Sequence, residues 1–267
     1  MNILKFIESF ADESLMQSKG SRRESFGQFS QLGKNLALAS IPFGLSTMTN
    51  SAYAADIAPT PSTPIGALQL ALTLEYLEKE YYIMGLDSGV IPKGGRDEKV
   101  FKQISDHETD HVTFLINGLG GVGSPNFVAK PTFDFTVGGA FNPFNNYPTF
   151  LALAQAFEDT GVRAYKGQAI NLISTPNLLT AALQIHSVEA RHASEVRRLR
   201  GLKGWITSNE RGAGMPAATQ PVYNGEQLTV QAGYNTAALF GAAAGSESYD
   251  EPLTTQETVA IANLFIV

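Results

Sequence analysis

The chain has 267 residues, of which 43% are hydrophobic, with a formal net charge of −6 and no cysteine. That length allows one sizeable core with extensions, and an acidic chain with no basic stretch beyond Arg197, Arg198 and Arg200 disfavours a nucleic-acid partner. Without cysteine there can be no disulfide, thiolate metal site, thiol nucleophile or lipid-modified cysteine.

Residues 1–54 read as an export signal. Arg22-Arg23 precedes a mostly apolar stretch, Leu36 to Leu45, and Ala52-Tyr53-Ala54 supplies a small-x-small cleavage pattern. The paired arginines resemble a twin-arginine signal, although Phe26 comes one residue late. This predicts an exported, periplasmic protein of a bacterial cell. The apolar stretch is far shorter than the roughly 20 residues of a spanning helix, so no membrane span is expected in the mature chain. The competing reading is a retained amphipathic arm with an incidental Arg-Arg pair. Residues 55–63, with Pro59, Pro61 and interspersed Thr and Ser, form a stiff linker.

Four helical segments follow, over 64–201. The first, about Pro64 to Leu86, spaces Leu68, Ala71, Leu72 and Tyr82 helically, with Pro64 at its start and Gly89 beyond its end. The second, about Asp97 to Asn117, carries Phe101, Ile104, Val112 and Leu115 on one face. The third, about Pro148 to Leu172, carries Leu151, Ala154, Val162, Ala169 and Leu172, and its Gly161 and Gly167 weaken it locally. The fourth, about Pro176 to Arg200, carries Ala182, Ile185, Val196 and Leu199, and its basic last turn suits the negative end of a helix dipole. Short links join segments one to two and three to four, predicting two antiparallel hairpins. About thirty residues rich in Gly, Pro, Asn and Phe separate the second and third segments. A link that long suits a crossover running the length of a bundle, with Phe127, Phe133, Phe135, Phe141 and Phe144 to pin it. Residues 202–267 lack long-helix periodicity apart from a final helix over Thr255 to Phe265, and read as an extension wrapped on the bundle.

The charged residues on these faces carry the chemistry. Glu108 and His111 stand four and seven positions after Ile104, and Glu189 and His192 stand four and seven after Ile185. A spacing of three leaves residues about 60° apart, so each Glu and His share the apolar face. Glu75 and Glu158 lie in the apolar stripes of the first and third segments, each followed seven residues later by a tyrosine, Tyr82 and Tyr165. The halves therefore read as a duplicated hairpin, Glu-x6-Tyr then Glu-x2-His. Six inward ligands can hold two divalent ions, whose +4 cancels four buried carboxylates that otherwise oppose folding. Mixed carboxylate and imidazole donors suit iron or manganese. The bland alternatives are surface Glu-x-x-His pairs, an ordinary i,i+4 contact of Glu75 with Lys79, and Glu78 in place of Glu75. His107 and His186 have no counterpart in the other half and read as supporting or structural. Tyr82 and Tyr165 read as core aromatics, with a redox role as the sharper alternative.

With this ligand set, and with the stretch Ala71-Leu72-Thr73-Leu74-Glu75-Tyr76-Leu77-Glu78-Lys79-Glu80-Tyr81-Tyr82, residues 64–201 resemble the ferritin-like superfamily, and within it the desiccation-related branch. The resemblance implies an all-α ferritin-like four-helix bundle with a dinuclear iron or manganese centre. It also implies an oxidoreductase, catalase-like or ferroxidase-like, that handles peroxide, oxygen or ferrous iron in stress protection, and it is compatible with a homo-oligomer. The alternative within the same resemblance is a non-catalytic protective protein whose metal site is structural. The lack of cysteine removes the rubredoxin-like iron centre that rubrerythrins use.

Overall fold

The computed structural model describes residues 56–267; the predicted export signal, residues 1–54, lies outside the described residues. Four long helices make the core: α1 (Pro64–Ser88), α2 (Arg96–Gly118), α3 (Tyr147–Gln168) and α4 (Pro176–Leu199). Two short strands, β1 (Val230–Gln231) and β2 (Tyr234–Asn235), pair antiparallel, and α5 (Ala237–Ser246) and α6 (Thr255–Ala262) follow them. No described helix is long and apolar enough to cross a membrane.

Local chemistry sets the helix ends. Thr63 caps α1, its hydroxyl accepting from Gly66 N at 3.1 Å, with Pro64 in the first turn. Gly89, at φ 76°, ends that helix in the left-handed region that favours glycine. Asn146 caps α3 through Thr149 N at 3.0 Å, and Thr254 with Glu257 forms a capping box at α6. The third predicted segment is one turn short of its predicted end as an α-helix: Ala169–Leu172 tightens into a 3-10 turn before α4.

Helix α1 packs on α2 and α3 on α4, and the hairpins meet mainly along α1 and α3. The link over residues 119–146 is the predicted crossover. It lies along α1, where Gln69 Nε2 donates to Asn126 O at 3.0 Å and the Tyr76 hydroxyl to Val128 O at 3.4 Å. Phe133 and Phe135 are buried in the bundle core, with Phe141 and Phe144 packed against it. Tyr81 ties the crossover to the hairpins, its ring centroid 5.1 Å from that of Phe135 and 4.9 Å from that of Phe150.

The C-terminal extension differs most from the sequence reading. Its final helix is shorter, ending at Ala262, and it contains α5 and the β1–β2 hairpin, which periodicity did not predict. It also covers the outer face of α3, so that helix is buried nearly all round rather than on one face. Ala152 and Ala156 of α3 join Ile206, Met215, Val222, Tyr223, Leu253 and Ile261 in a second apolar cluster. Polar groups clamp the junction. Arg163, 1% exposed, is paired with Glu226 at 2.7 Å and donates to the carbonyls of Glu251, Val222 and Asn224. Asp159 accepts from Arg197 and from the Tyr223 hydroxyl.

The contact at Gly167 is closer still. Leu253 N donates to Arg163 O at 3.1 Å, and a Cβ at Gly167 would run into the Leu253 carbonyl. The Gly167→Ala variant is therefore expected to lose about 1–3 kcal/mol by overpacking, seen as a lower urea midpoint at unchanged slope. An unchanged midpoint would mean that the extension yields freely at this contact.

Candidate metal centre

All six predicted ligands converge in the middle of the bundle. Glu75, Glu108, Glu158 and Glu189 are each 0% exposed, one from each long helix, and His192 is 5% exposed. They form two overlapping sets of mutually close donor atoms: Glu75, Glu108, His111 and Glu189 in one, Glu108, Glu158, Glu189 and His192 in the other. Glu108 and Glu189 belong to both sets, while each remaining Glu–His pair belongs to one.

The distances follow the internal repeat. His111 Nδ1 lies 3.0 Å from Glu108 Oε2, 3.2 Å from Glu75 Oε2 and 3.4 Å from Glu189 Oε1. His192 Nδ1 lies 2.9 Å from Glu108 Oε1 and 3.3 Å from Glu158 Oε2. The tyrosines cross between the hairpins: Tyr82 of α1 donates to Glu158, and Tyr165 of α3 donates to Glu75 at 2.5 Å. Each thus serves the carboxylate of the opposite half, not the one seven residues before it. Burial pushes both phenols well above their ordinary range, and the carboxylates beside them push further, so both remain donors.

The electrostatics are those of a site short of cations. Burial, then the charge of Glu108, raises Glu75 to about 8. Burial and the surrounding carboxylates raise Glu189 well above its usual range. Burial also pushes Glu108 upward, but its contacts with His111 and His192 prevail and hold it at about 2. Burial would lower both histidines. For His111 the bonds to Glu108 and Glu75 prevail, and for His192 the charge of Glu158 and the contact with Glu108 do, taking each to about 10.

Several of these atoms have no hydrogen-bond partner: Glu108 Oε1, Glu158 Oε2, both oxygens of Glu189, and His192 Nδ1. The His192–Glu108 pair is close but unbonded. Buried carboxylate oxygens without hydrogen-bond donors, grouped around a histidine ring nitrogen, are what a divalent cation satisfies. The donor set therefore fits two ions.

The neighbouring residues resolve the remaining sequence alternatives. Glu75 turns to Tyr165 and His111, not to Lys79. Glu78 is not a replacement for Glu75 but a further buried carboxylate, 2% exposed. His107 supports His192, its Nδ1 2.9 Å from His192 Nε2 and its Nε2 2.7 Å from the Gln103 amide. His186 is structural and away from the ligands, its Nδ1 3.0 Å from Val162 O. A cavity of about 630 Å³ between α2 and α4 reaches the edge of the centre, lined by Arg96, Lys99, Gln103, His107, Arg191 and His192.

A four-helix bundle that projects one glutamate from each helix and one histidine from each of two is a carboxylate–histidine scaffold, and its buried donor groups could hold metal ions. The family model of the ferritin-like domain matches residues 63–202, and the chain belongs to that family. No match was found among curated proteins.

Proposed function

We propose that the protein holds two divalent ions, iron or manganese, and uses them in the redox handling of a small oxidant such as peroxide or oxygen, or of ferrous iron. The supporting observation is the pair of donor sets sharing Glu108 and Glu189, with buried atoms that lack partners. When bound, such ions supply one-electron steps and an electrophilic position for an oxygen ligand. The protein supplies the rest. Glu108 and Glu189, which belong to both donor sets, would contribute to either position. Glu75 with His111 would complete one position, and Glu158 with His192 the other. Tyr82 and Tyr165 fix the outer carboxylates and keep protons at the oxygens they bond. The cavity lined in part by His192 borders the centre, and we read it as the side from which a small solute approaches. The sequence reading of residues 1–54 as an export signal supports an activity outside the cytoplasm, in stress protection.

The test is elemental analysis of protein purified from its native compartment, followed by peroxide-consumption and ferrous-oxidation assays. Two equivalents of iron or manganese and turnover of one substrate are expected. A fully loaded sample that turns over neither would sink the redox reading.

One observation favours a second reading, a structural metal site in a non-catalytic protective protein: all four ligand carboxylates have zero exposure. On that reading chelation lowers the melting temperature while the loaded protein consumes no oxidant.

A further inference from the structure

Residues 227–246 of the C-terminal extension carry no charged side chain. They form the β1–β2 hairpin and α5, and both stand largely open to solvent. A helix that is apolar all round is normally buried. Helix α5 reads Ala-Ala-Leu-Phe-Gly-Ala-Ala-Ala-Gly-Ser, yet only Gly245 and Ser246 are buried. Phe240 is 80% exposed and Leu239 72%, and Leu228, Val230 and Tyr234 are each more than half exposed. Among the described residues the hairpin has no third strand, and a lone two-stranded hairpin is at best marginally stable in water.

These side chains belong to one structural unit. Thr236 N and Oγ1 donate to Thr229 O at 2.7 and 2.8 Å, and Oγ1 also lies 3.0 Å from Gly245 O. The end of β2 is thereby tied to the start of β1 and to the last turn of α5. Gly241, at φ 86°, breaks α5 directly after Phe240, which places Leu239 and Phe240 at its corner. At these exposures the five large side chains present on the order of 600 Å² to solvent, the upper end for a patch on a monomer. Two such surfaces together would bury about 1,200 Å², where the range for stable association begins.

Charge selects the occupant. The charged residues that flank the segment are Glu226, Glu247, Asp250 and Glu251, with no basic residue among them. A helix that lies on a lipid surface carries Lys and Arg beside its apolar face instead. A second copy meets no such conflict. The two facing surfaces are uncharged, and two of the flanking acids are already paired, Glu226 with Arg163 and Glu247 with Lys203. A two-fold contact sets the same patch of both copies face to face.

We propose that the β1–β2 hairpin and α5 form a self-association surface, through which two copies of this chain pair about a two-fold axis. The inference does not rest on the metal reading, and none of the residues lining the cavity beside the metal centre belongs to this surface.

The experiment is sedimentation velocity of the full chain over roughly 1–100 μM, for wild type, Phe240→Asp and Leu239→Asp. Wild type is expected to be a dimer with a dissociation constant in the micromolar range or below. Each substitution is expected to raise that constant about thirtyfold or more and to leave the far-ultraviolet circular dichroism unchanged, because both side chains face solvent in the single chain. The chain has no cysteine, so Ala242→Cys supplies a single thiol at an exposed position of α5. That thiol should react with a maleimide several-fold more slowly in the dimer than after dilution. A wild type that stays monomeric throughout overturns the proposal, as does a dimer that both aspartate variants leave intact, or a thiol equally reactive in both states. Flotation with phosphatidylcholine vesicles provides the lipid arm: a wild type that floats with them and does not self-associate assigns the surface to lipid and overturns the pairing.

Discussion

Glu108→Gln is expected to cost the protein both metal ions, whereas Glu75→Gln costs one. Glu108 belongs to both donor sets and Glu75 to a single set. Loss of a supporting residue already weakens metal affinity about 10–100-fold, so loss of a shared carboxylate is expected to exceed about 100-fold at both positions. Elemental analysis after dialysis gives the result directly: two ions in wild type, one in Glu75→Gln, fewer than one in Glu108→Gln. The two shared carboxylates should also behave differently once the metal is gone. Glu108 is ionised and contacted by both histidines, so removing its charge leaves two buried imidazolium groups poorly compensated. Breaking a buried pair in this way costs about 3–5 kcal/mol. Glu189 has no hydrogen-bond partner for either oxygen, and burial already favours its neutral form. Glu189→Gln is therefore expected to leave the metal-free protein unchanged or more stable, while abolishing metal uptake like its counterpart. Thermal melts of the two metal-free variants test this. Equal destabilisation of both would contradict the assigned division of charge, and two bound ions in Glu108→Gln would contradict the shared-ligand arrangement.

Much of this centre was legible in the sequence, because burial and repetition act on the same residues. Glu108 with His111, and Glu189 with His192, fall on apolar helical faces, where a carboxylate needs a compensating partner. The duplicated spacing then identified Glu75 and Glu158, and the long crossover identified the bundle. The tyrosine connections were not legible. Tyr82 and Tyr165 stand at repeated intervals from a glutamate on their own helices, yet two turns of separation along a helix carry them to the carboxylate of the other hairpin. The extension was also hidden. Its cover over α3 rests on single contacts distant in sequence, such as Arg163 with Glu226 and Asp159 with Tyr223, which leave no periodic trace. Asp159 and Arg163 beside Glu158 were nonetheless a usable signal, since charge on both sides of an otherwise apolar helix predicts a second covered face. Gly161 was read as a weak point in a helix, whereas it is room for two carboxylates.

Removing the metal is expected to hurt stability little at pH 5 and severely at pH 8. In the metal-free protein Glu75 is raised from 4.5 to about 8. Its contribution is fully present below pH 4.5 and is lost as pH rises through 8. Glu78 and Glu189 are shifted the same way. His111 and His192, raised from 6.5 to about 10, contribute fully below pH 6.5 and lose that contribution as pH rises through 10. Among the six ligands only Glu108 opposes them: it is lowered from 4.5 to about 2, so its contribution is present above pH 4.5 and lost as pH falls through 2; beside the ligands His107, lowered chiefly by burial, also opposes them. The metal-free protein should therefore be most stable near pH 5 and weaken steadily toward pH 10. Metal binding runs the other way, because the ligands must shed protons to bind. Ions present at 100 times their dissociation constants add about 2.7 kcal/mol each, or roughly 10–20 °C for two ions in a domain of this size. At pH 5 protons hold the same carboxylates and the increment shrinks. Melting curves of loaded and chelated protein at pH 5, 6.5 and 8 should thus diverge as pH rises. A gap that stays constant, or a chelated protein that gains stability from pH 5 to 8, would mean that the buried carboxylates are not what the metal compensates.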